Sequence, residues 1–187
     1  MGQNIFNNNV SYLSMYYGTI MGVFWILKFM LISQMFNYAF NALLFLLLTI
    51  AVPFVGYYLG KQYRNKYCPQ QQVSFFQAWI FCLLMYLFAA LLVSVAHYIY
   101  FRYIDQGSLF ESYYQLLETT VQINPEYTTE FNSYKEALSQ IQQLKPIELT
   151  IQLISNNLFY GMLFALPTAF ILSLKKKKEN LSSTASA

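Results

Sequence analysis

Few side chains in this sequence could do chemistry, and those few are scattered. His97 is the single histidine and Asp105 the single aspartate, while Cys68 and Cys82 are the two cysteines. One His cannot build an HExxH site, one Asp gives no DxD motif, and neither cysteine belongs to a CxxC pair or a Cys/His cluster. Structural zinc and a disulfide scaffold therefore drop out. A GxSxG elbow, a P-loop and a dinucleotide fingerprint are missing as well. We expect no enzyme, no cofactor and no metal. What the sequence does offer is a polar set inside apolar runs: Lys28, Ser94, His97, Asn156 and Asn157. Amine and amide groups are costly in hydrocarbon and generally turn to a bundle interior or a wet cavity, where they can hold an acidic group.

The elements that must position this set follow from composition. The 187 residues are 57% apolar, 19% aromatic and only 10% charged, against about 25% charge in an ordinary soluble domain. That much apolar surface nearly excludes a cytosolic enzyme and makes the lipid bilayer the expected solvent. A helix crosses about 30 Å of hydrocarbon with roughly 20 residues, and four runs qualify: about 11–34, 40–59, 75–103 and 146–174. None alternates polar and apolar residues as barrel strands do. The expected fold is all-α, one integral domain: a four-helix transmembrane bundle with an extracytoplasmic amphipathic helical hairpin at 104–145, between spans three and four.

Cations set the direction. Lys61, Arg64 and Lys66 follow span two and Lys175 to Lys178 follow span four, whereas 35–39 is uncharged and 104–145 carries Asp105, Glu111, Glu118, Glu126, Glu130 and Glu136. Short cytoplasmic loops are rich in Lys and Arg, so both termini are expected in the cytoplasm. The same cluster explains itself by orientation and attraction to anionic lipid, and no nucleic-acid role is expected. Span one has an uncharged leader, too long a run and no small-residue cleavage site, so it reads as a retained helix rather than a secretory signal. The tail, 179–187, is Ser-rich and expected to be disordered.

At about 1.5 Å per residue, Lys28, His97, Asn156 and Asn157 fall in one layer roughly 9 to 16 Å below the outer edge, with Ser94, Ser155 and Thr49 near that depth. Two readings stand side by side. Either Lys28 meets Asn156 or Asn157 in an outward-facing pocket for an anionic headgroup or small ligand, or Lys28 snorkels to the interface, His97 joins a belt with Tyr98, Tyr100 and Tyr103, and the Asn pair ties helix to helix.

Small residues supply packing signals. Gly18 and Gly22 in span one and Gly56 and Gly60 in span two sit at matched depth, so spans one and two are expected to close as a hairpin, with a homodimer as the alternative. Gly161 and Ala165 repeat the spacing ahead of Pro167. In the insert, Ser108 with Glu111 reads as a capping box and Asn124-Pro125-Glu126 as a second helix start. The resulting stripes pack on each other or on span three, or one of them meets the membrane surface or a membrane-protein partner.

The stretch Gly60-Lys61-Gln62-Tyr63-Arg64, followed by Val73-Ser74-Phe75-Phe76-Gln77-Ala78, resembles the signature of a bacterial family of small membrane proteins, the domain-of-unknown-function 4199 family. Tyr98-Ile99-Tyr100-Phe101 before Ile104-Asp105, the acidic insert and a final span ending in Lys fit it too, over about residues 10 to 178. A Gln70-Gln71-Gln72 run stands where that family has a Gly. The resemblance implies a four-span inner-membrane protein and supplies no catalytic residues. Physically, Tyr63 and Arg64 just past span two are expected at the headgroups and on free helix carbonyls or a lipid phosphate, with Ser74 capping span three ahead of Phe75. The expected role is a non-enzymatic accessory or scaffolding subunit, the alternative a small-molecule or lipid transporter using the outer pocket.

Overall fold

A computed structural model describes residues 2–36, 38–67 and 73–174. Cys68, Gln70 to Gln72, Lys175 to Lys178 and the tail lie outside the described residues. Among the described residues every regular element is helical: α1 Gly2–Met30, a 3-10 turn Ile32–Gln34, α2 Ala39–Tyr67, α3 Phe75–Ile99, a π-helical turn Tyr100–Ile104, α4 Ser108–Ile123, a 3-10 turn Pro125–Tyr127, α5 Thr128–Gln142 and α6 Pro146–Leu174. Four helices, Val10–Met30, Ala39–Lys66, Phe75–Ile104 and Pro146–Leu174, are long and apolar enough to cross a bilayer. The chain is a multi-pass membrane protein.

Helix ends follow local chemistry. Ser74 caps α3, its hydroxyl accepting from the Gln77 amide at 3.2 Å. α6 starts at Pro146, and the Glu148 carboxylate reaches back to the Lys145 amide at 2.7 Å, as a third-position acid does in a capping box. α2 runs on to Tyr67 instead of stopping near Leu59. The loss of apolarity after Leu59 marks the end of the hydrocarbon, whereas Lys, Gln, Tyr and Arg all continue a helix readily.

α1 and α3 form the spine and run parallel. The Ser14 hydroxyl donates to the Phe81 carbonyl 67 residues on, Gly18 lies on Met85, Gly22 on Ala89, and Phe29 on His97. The register is constant over the length of both helices. Buried residues recur on α1 at Val10, Leu13, Ser14, Tyr17, Met21, Trp25 and Phe29, the spacing of one helix face. A β-carbon on Gly18 would lie 2.7 Å from the Phe88 β-carbon and 2.8 Å from the Met85 carbonyl oxygen. Gly18 and Gly22 therefore face α3, which corrects the expected hairpin of spans one and two. A GxxxG face specifies how closely a neighbour can approach, not which neighbour it is.

α2 attaches to this spine at one end only, whereas α6 also packs along α3, with Thr150 buried near its start. On α2 no residue from 39 to 51 is buried, while Val52, Gly56, Leu59, Gly60 and Tyr63 are. On α6 none from 151 to 160 is buried, while Gly161, Ala165, Thr168, Ala169 and Leu172 are. Gly56 and Gly161 both lie against the Tyr86 ring system, and Gly60 lies against Leu172. The bundle is thus tight at the Arg64 end and splayed at the Lys28 end.

Gly18→Val is expected to lower unfolding free energy in detergent titration by about 1–3 kcal/mol, the usual cost of overpacking. Thr19→Val, on the exposed face of α1, should change it by less than about 0.5 kcal/mol. Equal effects would show that α1 and α3 do not meet at Gly18.

Candidate functional site

The splayed end encloses a cavity of about 360 Å³. α1 contributes Trp25, Lys28 and Phe29, α3 contributes Val93 and His97, and the π-turn contributes Phe101. Phe45 of α2 and Leu149, Gln152, Leu153, Asn156 and Asn157 of α6 complete the sides, and Leu109, Phe110 and Ile141 of α4 and α5 complete the lining. Lys28, His97, Asn156 and Asn157, placed in one layer by their spacing, therefore line one cavity. Ser94 does not line it: its hydroxyl donates to its own helix, to the Leu91 carbonyl at 2.7 Å. Ser155 and Thr49 likewise bond the Ile151 and Phe45 carbonyls.

Helix phase explains the set. Trp25, Lys28 and Phe29 occupy one face of α1 at spacings of three and four, and Gln152 and Asn156 stand one turn apart on α6. The π-turn lets two consecutive residues serve the interior: Tyr100 packs edge-on to Phe29 at 5.1 Å, and Phe101 lines the cavity. Trp25 and Gln152 escaped the sequence reading, since tryptophan counts as apolar. An amide one turn before Asn156 was the available signal for Gln152.

The polar groups here are unspent. His97 is 5% exposed and Trp25 is 7% exposed, yet neither His97 Nδ1 nor Trp25 Nε1 has a hydrogen-bond partner among the described residues. His97 sits edge-on to Phe29 at 4.3 Å rather than in an interfacial belt. Lys28 Nζ lies 5.3 Å from the Phe45 ring centroid, a cation–π contact, and has no ion pair among the described residues. A buried donor without a partner costs about 1–3 kcal/mol. With one amine and three amides around apolar walls, the arrangement can hold one acidic group. Among the described residues no three His, Cys, Asp or Glu converge on a metal-sized site.

At the opposite end the signature residues bind three helices together. Tyr63 stacks on Phe81 with centroids 3.9 Å apart and planes at 9°, and its hydroxyl accepts from Gln77 Nε2 at 3.4 Å. Arg64 Nη1 donates to the Leu172 carbonyl at 3.1 Å, tying α2 to the described end of α6. Tyr63 is therefore a core residue, not a headgroup residue, and Arg64 bonds a neighbouring helix. Phe75, the first residue of α3, is exposed.

A match to a family model over residues 16–173, described as "Protein of unknown function (DUF4199)", covers most of this architecture from spine to final span. The chain belongs to the DUF4199 family. No curated protein and no solved structure matches it. Within this DUF4199 chain the Gly60 to Gln77 stretch is an inter-helix clasp, and the other feature of the resemblance, Ile104-Asp105, is a helix cap. Asp105 is 4% exposed. Its carboxylate accepts from the Leu109 amide at 2.9 Å, the Tyr100 hydroxyl at 3.0 Å and the Gly107 amide at 3.2 Å. Gln106 and Gly107 adopt φ of 45° and 93°, and this left-handed pair turns the chain from α3 into α4. Asp105 rather than Ser108 thus caps α4, which corrects the expected capping box. The carboxylate, two residues before the Gly107 amide and four before that of Leu109, reaches both, whereas the Ser108 hydroxyl starts inside the helix.

Asp105→Ala should destabilise α4 by about 2 kcal/mol, from the lost cap and the amides left unsatisfied. Hydrogen exchange checks it: amides 107–111 are expected to exchange faster while those of 81–93 do not change. Unaltered exchange at Leu109 would contradict the assignment.

Proposed function

We propose that this chain is a non-enzymatic membrane protein that binds one acidic group in the Lys28 cavity. The observation that carries this reading is that Lys28, Gln152, Asn156 and Asn157 line one cavity, with His97 and Trp25 in its wall. Buried polar groups are normally satisfied, and an anion supplies the acceptor that the amides and the amine share. Cavities of about 300–1,000 Å³ with apolar walls and a few convergent polar groups are the usual form of a ligand site.

The setting belongs to the same reading. Lys61, Arg64 and Lys66 at the tight end, with the Lys175 to Lys178 run after α6, support a cytoplasmic tight end and cytoplasmic termini in a bacterial inner membrane. The splayed end and helices α4 and α5 then face outward. A second reading, an accessory subunit docking a membrane partner through 104–145, is favoured by the exposed Leu116, Ile123 and Tyr134 of α4 and α5.

Two measurements test these statements. Mass spectrometry of solvent extracts from the purified chain should find an acidic compound near one per chain, falling at least tenfold in Lys28→Met and retained in Lys28→Arg; equal content in all three removes the proposed site. In intact cells Cys68 should react with a permeant maleimide and not with an impermeant one, and labelling by the impermeant reagent reverses the orientation.

A further inference from the structure

We infer that the cavity is filled sideways, from the hydrocarbon layer, by an amphiphile with one acidic headgroup that passes between the first halves of α2 and α6. This rests on the acidic-group reading above and adds the ligand's class and its route.

The two sides of the cavity differ. Towards the insert it is roofed by Leu109 and Phe110 of α4 and Ile141 of α5. All three are apolar, and α4 is pinned over the cavity by the Asp105 carboxylate through the Leu109 amide at 2.9 Å. A hydrated anion arriving from water would have to shed its shell against hydrocarbon side chains and displace a capped helix. The membrane side carries no such closure. The wall there is made by Phe45, Leu153, Asn156 and Asn157, on the stretches of α2 and α6 that contain no buried residue between 39 and 51 or between 151 and 160. With no fully buried residue on either stretch, the first halves of α2 and α6 leave a seam to lipid.

The boundary between the free and fastened parts of α2 falls at Pro53. Val52 is the first buried residue of α2, and proline there removes the hydrogen bond to the Thr49 carbonyl, the usual cause of a helix bend. The first half of α2 can pivot while Gly56, Gly60 and Tyr63 stay packed. The charge of the ligand follows from the lining: Lys28 is its one cationic side chain, so one negative charge is matched and a second would be left unpaired in a low-dielectric site. The apolar remainder of the wall and the lipid seam accommodate an acyl chain whose far end stays in the bilayer.

The test uses the two tryptophans, Trp25 in the cavity lining and Trp79 at the start of α3, away from the cavity. The full chain carrying Trp79→Phe is reconstituted in phosphatidylcholine vesicles and titrated with dibromostearate, whose bromines quench a tryptophan they touch. We expect saturable quenching of Trp25 at a mole fraction at least tenfold below that needed with dibrominated phosphatidylcholine. Lys28→Gln should shift the midpoint at least tenfold, Lys28→Arg should restore it, and Pro53→Ala should slow the onset severalfold. Acetate and inorganic phosphate in the water should not protect Trp25. Protection by either ion at concentrations matching dibromostearate would overturn the sideways route while leaving an acidic-group site in place. Quenching no stronger than by the brominated phosphatidylcholine, and insensitive to Lys28→Gln, would overturn both. If Trp79→Phe does not fold, the same titration on the unaltered chain, read as the quenching lost in Trp25→Phe, gives the same decision.

Discussion

The close approach of α1 and α3 is the contact on which the remaining structure depends. In lipid there is no hydrophobic drive between helices, so association rests on dispersion contacts between surfaces that fit. Gly18 and Gly22 allow the α1 backbone to lie on Met85 and Ala89, and Ala78, Ala89 and Ala90 of α3 are fully buried. Ser14 spans the interface, donating to the Val10 carbonyl at 2.8 Å and the Phe81 carbonyl at 3.3 Å. A parallel pair joined along its whole length leaves a rigid wall. α6 also follows α3, and α2 can then attach at the Tyr63, Arg64 and Leu172 end without having to close at the other.

Incomplete closure is where the chemistry arises. Had α2 and α6 packed on the spine throughout, Lys28 would have been excluded or paired and His97 would have been satisfied by a neighbouring helix. Instead, fastening at one end and splaying at the other collects the polar side chains of three helices around a space that α4 and α5 roof. In its wall Trp25 Nε1 and His97 Nδ1 are buried without a partner among the described residues, as are Trp79 Nε1 and the Tyr86 hydroxyl outside the cavity.

Much of this was legible in the sequence, for reasons that can be named. Uncharged runs gave the spans because hydrocarbon penalises charge wherever it falls. Counting residues from the span ends placed Lys28, His97, Asn156 and Asn157 in one layer because a helix rises uniformly. Depth is one coordinate, however, and the rotation about each axis is another: Ser94 shares the depth but bonds the Leu91 carbonyl, while Trp25 shares the face and was passed over as apolar. Gly18 and Gly22 announced a close neighbour without saying that α3 was the neighbour. The α4 cap went to Asp105 and not Ser108 because a left-handed turn at Gln106 and Gly107 brings the carboxylate back over the free amides, a long-range result of where α3 ends.

Whether the space beside Trp25 and Lys28 holds an acidic amphiphile, as proposed, or is a flaw in packing can be read from one measurement. The indole N–H resonances of the two tryptophans test it most directly, compared before and after exhaustive delipidation of the purified chain. With a ligand in that space, the Trp25 signal is expected to shift on delipidation and to return when an acidic amphiphile is added back, while the Trp79 signal stays in place. A Trp25 signal indifferent to delipidation, or one that moves only in step with Trp79, would contradict the proposal.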